Sequence, residues 1–273
     1  MKFGLSIPNF GAYFNPRDAA SLAAEAEAHG WDGFFVWDHM LFWRNMRVPV
    51  ADPWVSLAAV ALATERIRIG PMVTPLARRR PWKVARETVT LDHLSGGRLT
   101  LGVGLGFPPD AEFGTFGEDV DDRVRAQKLD EGLAILEGAW SGEPFGYRGK
   151  HYRLLEDTYL PRPVQQPRIP IWVAAMWPNM APFRRAAKHD GVFVIDGATG
   201  GAALEPEQLA ESLAHLAALR GNLDGYDVVA SLAAGREPGA YEKAGATWLI
   251  QGPPGFDSTL EDMRAVIRNG PPR

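Results

Sequence analysis

The sequence places a carboxylate and an imidazole side by side at the end of an apolar segment. Residues Gly33 to Trp37 are apolar and aromatic, which is typical of a buried strand, and Asp38 and His39 follow directly. Histidine titrates nearest to neutral pH, so His39 is a candidate to donate or accept a proton. The alternative is structural, with Asp38 capping the next segment and His39 at a loop edge.

A glycine-rich stretch, G-V-G-L-G from Gly102 to Gly106, follows a later apolar segment. It does not fit the dinucleotide pattern G-x-G-x-x-G, because the position of the third glycine is occupied by Phe107. The residues that follow, Pro108-Pro109-Asp110, also do not indicate a helix start. The glycines therefore indicate close backbone approach by a flat ligand or by a neighbouring strand.

Basic and aromatic residues follow other predicted strands. The cluster L-A-R-R-R-P-W-K, Leu76 to Lys83, is typical of a solvated loop, but its place after a strand would also let an arginine meet an anion. Trp54 is expected in the core, whereas Trp43 and Trp177 lie in predicted loops, where a ring-shaped ligand would give them a stacking partner.

Several classes of chemistry are excluded or disfavoured. The chain has no cysteine, no G-x-S-x-G and no H-E-x-x-H, so a thiolate nucleophile is excluded and no metal site is expected. The net charge of -4 disfavours a nucleic-acid partner. No segment is long and apolar enough for a membrane span, and the N-terminus lacks a signal-peptide core. We expect a cytoplasmic protein with a small-molecule substrate, a homodimer being one option.

Short apolar runs alternate with helical patterns along the chain, which predicts a parallel sheet with helical crossovers. About eight such units fit a (β/α)8 TIM barrel of one domain, residues 1–273; a doubly wound sheet is the alternative, but no phosphate loop follows the first strand. Residues Ser141 to Pro170 break the rhythm and predict an excursion with a short hairpin before strand five. In such a barrel the active site lies at the carboxyl ends of the strands, where Asp38 and His39 are placed.

With these motifs in place, the sequence resembles the bacterial luciferase-like superfamily of flavin- and deazaflavin-dependent oxidoreductases. Five segments carry the resemblance, and together they cover Met1 to about Ile195: K-F-G-L-S-I-P-N, G-W-D-G-F-F-V-W-D-H, A-T-E-R-I-R-I-G-P-M-V-T-P, T-L-D-H-L-S-G-G-R-L-T-L-G-V-G-L-G and R-P-V-Q-Q-P-R-I-P-I-W-V-A-A.

The resemblance implies a flavin-type cofactor in the barrel mouth, coenzyme F-420 being favoured over FMN. It implies a bulge at Pro71 to Val73, with a non-proline cis peptide as one form, pressing against the cofactor ring. His39 and Trp43 are the expected catalytic residues. The expected cofactor contacts are Asp38, His39, Val73, Thr74, Gly104, Gly106, Ala175, Met176, Trp177 and Asn179, the last four around the cofactor phosphate.

Three positions depart from the patterns of related enzymes. Phe107 stands where deazaflavin-dependent sugar-phosphate dehydrogenases carry a catalytic glutamate, and Asp196-Gly197-Ala198 stands where they carry a phosphate-binding lysine. Leu105 stands where luciferases carry an arginine for the flavin phosphate. We therefore expect hydride transfer with a substrate other than a sugar phosphate. The alternatives are an FMN-dependent monooxygenase and a non-catalytic flavin-binding protein on the same barrel.

Overall fold

The structure is a computed structural model that describes residues 1–197, 203–232 and 235–272. Its strands are β1 (Lys2–Ile7), β2 (Gly33–Val36), β3 (Arg68–Pro71), β4 (Thr74–Pro75), β5 (Leu101–Gly104), β6 (Pro144–Arg148), β7 (Arg153–Thr158), β8 (Ile171–Trp177), β9 (Gly191–Asp196), β10 (Asp227–Ser231) and β11 (Trp248–Gln251). Its α-helices are α1 (Pro16–Ala28), α2 (Pro53–Ala63), α3 (Pro81–Leu94), α4 (Pro109–Glu112), α5 (Asp122–Trp140), α6 (Met180–Ala186), α7 (Pro206–Arg220), α8 (Pro238–Lys243) and α9 (Leu260–Arg268).

The helices begin where side chains or prolines satisfy the first turn. The Asn15 side chain accepts a hydrogen bond from the Arg17 backbone N–H at 3.0 Å at the start of α1. Asp52 does the same for the Trp54 N–H at 2.9 Å at the start of α2, and both helices have proline at their first position. Such caps satisfy N–H groups that have no partner within the helix. Asn15-Pro16 and Asp52-Pro53, each a capping residue followed by proline, are local sequence signals for a helix start, and both helices begin there.

The main sheet is parallel and closes on itself. In the described residues its strand order is β3-β2-β1-β11-β10-β9-β8-β5-β4, and β3 and β4 lie on either side of residues 72–73. Between them lies a cis peptide bond joining Met72 and Val73, so the predicted bulge at Pro71 to Val73 is present. This arrangement confirms the predicted TIM barrel.

The excursion before the fifth barrel strand is also confirmed. Strands β6 and β7 pair in an antiparallel hairpin, and the Glu131 carboxylate on α5 accepts hydrogen bonds from the backbone N–H groups of residues 150–152 at its tip. Asp92 on α3 accepts from the N–H groups of Val164 and Gln165 at 2.7 and 3.1 Å, which fixes the return of the chain to β8. The carboxylates of Glu131 and Asp92 thus fix the excursion, which contributes no strand to the barrel, against α5 and α3.

The barrel interior is filled by large rings near its amino end. Phe35, Trp172 and Trp248 are at most 1% exposed, and their ring centroids lie 5.3 to 6.2 Å apart. The Asp227 carboxylate, at the start of β10, accepts a hydrogen bond from each indole N–H at 3.0 Å. We call these four residues the barrel floor. In the part of the chain that the structure describes, no helix is long and apolar enough to cross a membrane.

Candidate active site

His39 lies just beyond the carboxyl end of β2, at the mouth of the barrel. Its backbone is fixed by Asn9, which accepts from the His39 N–H at 3.1 Å and donates to the His39 carbonyl at 2.8 Å. The imidazole ring lies among aromatic side chains, with centroid distances of 5.8 Å to Phe10, 5.8 Å to Trp37 and 4.7 Å to Phe42. The imidazole is therefore held in a mainly apolar setting.

Glu112, at the end of α4, is the main partner of His39. Its side chain is fully buried, and its Oε1 atom lies 3.1 Å from Nδ1 of the imidazole. The same carboxylate accepts hydrogen bonds from the backbone N–H groups of residues 40–42 at 2.7 to 3.2 Å and from the Arg78 guanidinium. Sequence reasoning treated this region as loop and did not select Glu112.

The Glu112 contact decides which imidazole nitrogen carries the proton. Every partner of the Glu112 carboxylate is a donor, so Nδ1 of His39 donates as well. In the neutral ring this leaves the lone pair on Nε2, which has no protein hydrogen bond among the described residues. Nε2 is thus the atom at which His39 would take up a proton.

Asp38 lies beneath the imidazole and is fully engaged by protein groups. Its Oδ2 atom accepts from the Thr74 hydroxyl at 2.9 Å and from Arg79 Nε at 3.0 Å. Its Oδ1 atom accepts from Arg78 at 2.5 Å and from Arg79 at 2.8 Å. Asp38 is 2% exposed and Thr74 is 0% exposed. In the structure both side chains therefore have protein partners where ring contacts were expected, and the Asp38 carboxylate bonds to Thr74, Arg78 and Arg79 rather than capping the next segment.

Two arginines of the basic cluster after β4 are not solvated, although Arg80, Trp82 and Lys83 are exposed as the composition favoured. The Arg78 and Arg79 side chains are 6% and 16% exposed, because they pair with the buried carboxylates of Asp38 and Glu112. Two guanidinium groups and two carboxylates form a network without net charge, which is the condition for burying charges. The anion that an arginine of this cluster meets comes from the protein itself.

This network sets the protonation of His39. Burial, and next the Arg78 cation, lower the pKa of His39 to about 4, although the Asp38 carboxylate acts in the opposite direction. His39 is therefore neutral at pH 7. A neutral imidazole with a lone pair on Nε2 is arranged to accept a proton.

Apolar side chains lie at the mouth where the bulge meets β5 and β8. Val73, at the bulge, and Ala174, on β8, are both partly exposed and lie on either side of Gly104. A Cβ atom on Gly104 would lie 2.8 Å from Val73 Cγ2 and 3.4 Å from Ala174 Cβ. The glycine thus allows the neighbouring bulge to approach, as the sequence indicated for G-x-G. The resulting surface suits the face of a planar ring.

Gly106 shapes the loop that follows β5. Its φ of 85° lies in the left-handed region, and an added Cβ would lie 2.8 Å from both Phe113 and Pro75. Arg125 on α5 donates to the carbonyl oxygens of Leu105 and Gly106 at 2.9 and 2.8 Å. Arg125 thereby fixes the backbone of this loop. The residue after Gly106, Phe107, is 50% exposed.

The predicted phosphate segment lies at the end of β8 and the start of α6. Side chains alternate along β8, and Met176 follows the same face as Ala174, whereas Ala175 and Trp177 pack into the core between barrel and helices. Trp177 is part of the strand and contacts Phe183 with a centroid distance of 5.7 Å. The Asn179 side chain caps α6 by accepting from the Ala181 N–H. In the segment Asp196-Gly197-Ala198, which stands where sugar-phosphate dehydrogenases carry a phosphate-binding lysine, Ala198 lies outside the described residues.

Trp43 extends from the loop after β2 and is 46% exposed. Its ring meets that of Phe107 almost at a right angle, 87°, with centroids 5.9 Å apart. In contrast, Trp54 is 7% exposed, so its expected core position is confirmed. Among the described residues no group of histidine, aspartate and glutamate side chains could hold a metal ion.

The chain is similar to a known protein family and to curated relatives. The profile of the family described as luciferase-like monooxygenase matches residues 1–246. An F-420-dependent glucose-6-phosphate dehydrogenase of Beutenbergia cavernae is 35% identical over 209 residues, which are 75% of this chain and 60% of that enzyme. The chain thus matches well under two thirds of the length of this relative.

Solved structures share the fold over their whole length. An F-420-dependent secondary alcohol dehydrogenase superposes with a TM-score of 0.81 at 17% identity, covering 99% of this chain and 98% of that one. A monooxygenase of Streptomyces bottropensis superposes with a TM-score of 0.79 at 22% identity, covering 98% and 97%. With the family match over residues 1–246, and with the barrel, the bulge and the Asp-His pair in place, the chain belongs to the luciferase-like monooxygenase family.

Proposed function

We propose that the protein is an oxidoreductase that transfers a hydride between a small organic substrate and a flavin-type cofactor, with F-420 favoured over FMN. The observation that carries this proposal is the Glu112–His39 contact, which leaves a neutral imidazole with an accepting Nε2 at the barrel mouth. A proton must leave an alcohol when its carbon gives up a hydride, and Nε2 is suited to receive it.

The mouth fits a planar cofactor ring. The side chains of Val73, Ala174 and Met176 are apolar, uncharged and partly exposed, and Val73 and Ala174 both lie against Gly104. When bound, oxidised F-420 supplies the hydride acceptor. Names of similar proteins support the choice, because the relative from Beutenbergia cavernae and the solved alcohol dehydrogenase are both F-420-dependent.

In this proposal, different residues bind the ring, bind the phosphate, accept the proton and support His39. Val73, Gly104, Gly106, Ala174 and Met176 shape the surface for the ring, and the backbone from Ala175 to Asn179 remains our proposal for the phosphate group. His39 accepts the proton at Nε2. Asp38, Thr74, Arg78, Arg79 and Glu112 hold His39 and its loop in place without touching a ligand.

The first experiment measures cofactor affinity. The purified protein is titrated separately with F-420 and with FMN, and quenching of tryptophan fluorescence reports binding. We expect a dissociation constant in the low micromolar range, roughly −8 kcal/mol, with F-420 the tighter ligand. Tighter FMN binding with oxygen consumption would favour the monooxygenase, and binding without turnover of any oxidant would favour a flavin-binding protein.

A matched pair of variants locates the ring. Ala174→Phe fills the mouth-facing wall and should weaken cofactor affinity at least about 10-fold, whereas Ala210→Phe, at an exposed position on α7, should leave it unchanged. Failure of the wild-type protein to bind either cofactor would overturn the proposed function.

We also propose a homodimer that covers the outer face of α2. This helix is apolar except for the buried Ser56, yet Val55 and Leu62, two turns apart on one face, are 62% and 75% exposed. Light scattering after size exclusion should give twice the chain mass, and Leu62→Glu should give the monomer. The single domain over residues 1–273 and the cytoplasmic location stay predictions.

A further inference from the structure

Exposed aromatic side chains gather at one place on the barrel mouth. Trp43 comes from the loop after β2, Phe107 from the loop after β5 and Phe256 from the loop after β11, and they are 46%, 50% and 68% exposed. Single exposed apolar side chains are ordinary, but rings from three loops in one patch indicate a binding surface. We call these three residues the aromatic rim.

The aromatic rim is connected to His39 by direct ring contacts. The Phe42 ring lies 4.7 Å from the imidazole, 5.4 Å from Trp43 and 5.7 Å from Phe256 between centroids. Trp43 in turn meets Phe107 at 5.9 Å. A molecule lying on the aromatic rim would therefore have one end close to the proton acceptor.

The loops that carry Trp43 and Phe107 are held together by a polar contact away from the rings. Arg44 donates through Nη2 to the Asp110 carbonyl oxygen at 3.3 Å. The two rings stand at 87° to each other and form a corner that can offer one face and one edge to a flat guest. Aromatic pairs favour both stacked and edge-to-face contacts, so this corner suits a ring.

The charged groups next to His39 give no support to an anionic substrate. Arg78 and Arg79 are buried and share the carboxylates of Asp38 and Glu112, so each cation already has a buried anion. Drawing Arg78 toward a phosphate would take from the buried Glu112 its only arginine partner among the described residues, and drawing Arg79 away would leave Asp38 with one guanidinium in place of two, so both movements are unfavourable. The inner part of the mouth is thus neutral.

From the aromatic rim and the neutral interior we infer that the substrate is an uncharged, ring-bearing alcohol, or the corresponding ketone in the reverse direction. This inference rests on the proposed function and names the substrate class of the same site. The ring of the alcohol lies in the corner of Trp43 and Phe107. Its carbinol C–H bond breaks, the hydrogen leaves with the electron pair to oxidised F-420, the hydroxyl proton goes to His39 Nε2, and the C=O bond forms.

The test uses four probes with the wild-type protein: 1-phenylethanol and cyclohexanol as ring-bearing alcohols, glucose as an uncharged polar sugar and glucose 6-phosphate as an anion. Saturation-transfer NMR of the protein without cofactor, and turnover in the presence of F-420, report binding and reaction separately. We expect signals on the ring protons of both alcohols and turnover with both. Preferential binding and turnover of glucose 6-phosphate would overturn the inference.

Variants place the ring on the aromatic rim. Phe107→Ala and Trp43→Ala should each raise the dissociation constant and KM for 1-phenylethanol about 10-fold, with the dissociation constant for F-420 changed less than about 3-fold. Phe116→Ala is the matched control, because Phe116 is also 50% exposed and makes no ring contact among the described residues. Equal KM values in Phe107→Ala and Phe116→Ala would sink the inference. Loss of F-420 binding in the wild-type protein would instead count against the proposed function.

Discussion

Glu112 accepts a hydrogen bond from His39 Nδ1 at 3.1 Å, although the two residues are 73 positions apart in the sequence. The same carboxylate binds three consecutive backbone N–H groups of the loop that carries His39. It therefore fixes both the proton on the imidazole and the path of the chain around it. Partners of this kind, behind the reacting group, commonly change activity by factors of 10 to 100.

Glu112→Gln should lower kcat about 10- to 100-fold with little change in cofactor affinity. The amide has one acceptor oxygen in place of two, so its NH2 group must face a donor, either an N–H of residues 40–42 or Arg78. The acid limb of the pH–rate profile should move as well, since the charge next to His39 changes. The control is Glu131→Gln, because Glu131 accepts three backbone N–H groups in the same way at the hairpin. Equal kcat losses in the two variants would show that Glu112 acts only through stability.

The pH dependence of stability should reflect His39. Its pKa in the folded protein is about 4, below the ordinary 6.5, so the unfolded chain binds more protons between these values. The contribution is fully present above about pH 6.5 and is lost as the pH falls through about 4, up to about 3 kcal/mol. Urea unfolding at a series of pH values, for wild type and His39→Gln, isolates it. A difference between the two proteins that is constant from pH 4 to 7 would contradict a lowered pKa.

His39→Ala should lower kcat about 100- to 10,000-fold, because the proton acceptor is removed. Added imidazole should restore part of the activity, with a pH dependence that follows free imidazole rather than the wild-type protein. His39→Gln is the companion variant, since its amide can still donate to Glu112 and keeps the buried carboxylate satisfied. Full activity in both variants would mean that the proton leaves by another route.

Asp38→Ala should mainly destabilise the fold, by about 3–5 kcal/mol, since it leaves the two buried guanidinium groups of Arg78 and Arg79 with the single buried carboxylate of Glu112. The comparison is Asp130→Ala, which breaks a pair with Arg185 whose carboxylate is 60% exposed and should cost at most about 1 kcal/mol. Urea unfolding gives both values. A stable Asp38→Ala protein that has lost cofactor affinity would restore the original expectation that Asp38 contacts the ring.

The sequence predicts the barrel well because its signals are local. Capping by Asn15 and Asp52 and the alternation of apolar segments are properties of neighbouring residues, and the structure has those helices at those places. The strand ends are less regular, since β8 extends to Trp177, which the sequence placed in a loop. Pairing with β9 as far as Asp196 decides that end, and strand pairing is not local.

The site shows where local signals end. Arg78 and Arg79 have the composition of a solvated loop, and only the return of the chain past Asp38 and Glu112 buries them. Glu112 had one weak signal, an acidic residue after apolar Ala111 in a short proline-started turn that also contains Asp110. Its importance depends on partners 34 to 73 positions away, which no periodicity reveals.

The barrel floor has a kinetic consequence. Phe35, Trp172 and Trp248 fill the interior near the amino end of the barrel, and Asp227 accepts a hydrogen bond from both indoles. Small molecules therefore cannot enter or leave through the amino end. Under the proposed function, cofactor and alcohol both enter at the carboxyl end of the barrel, and the cofactor, proposed to lie deeper against Val73 and Ala174, enters first and leaves last. Steady-state kinetics should accordingly show a compulsory order of binding. The cofactor should bind before the alcohol, and the ketone should be released before the cofactor.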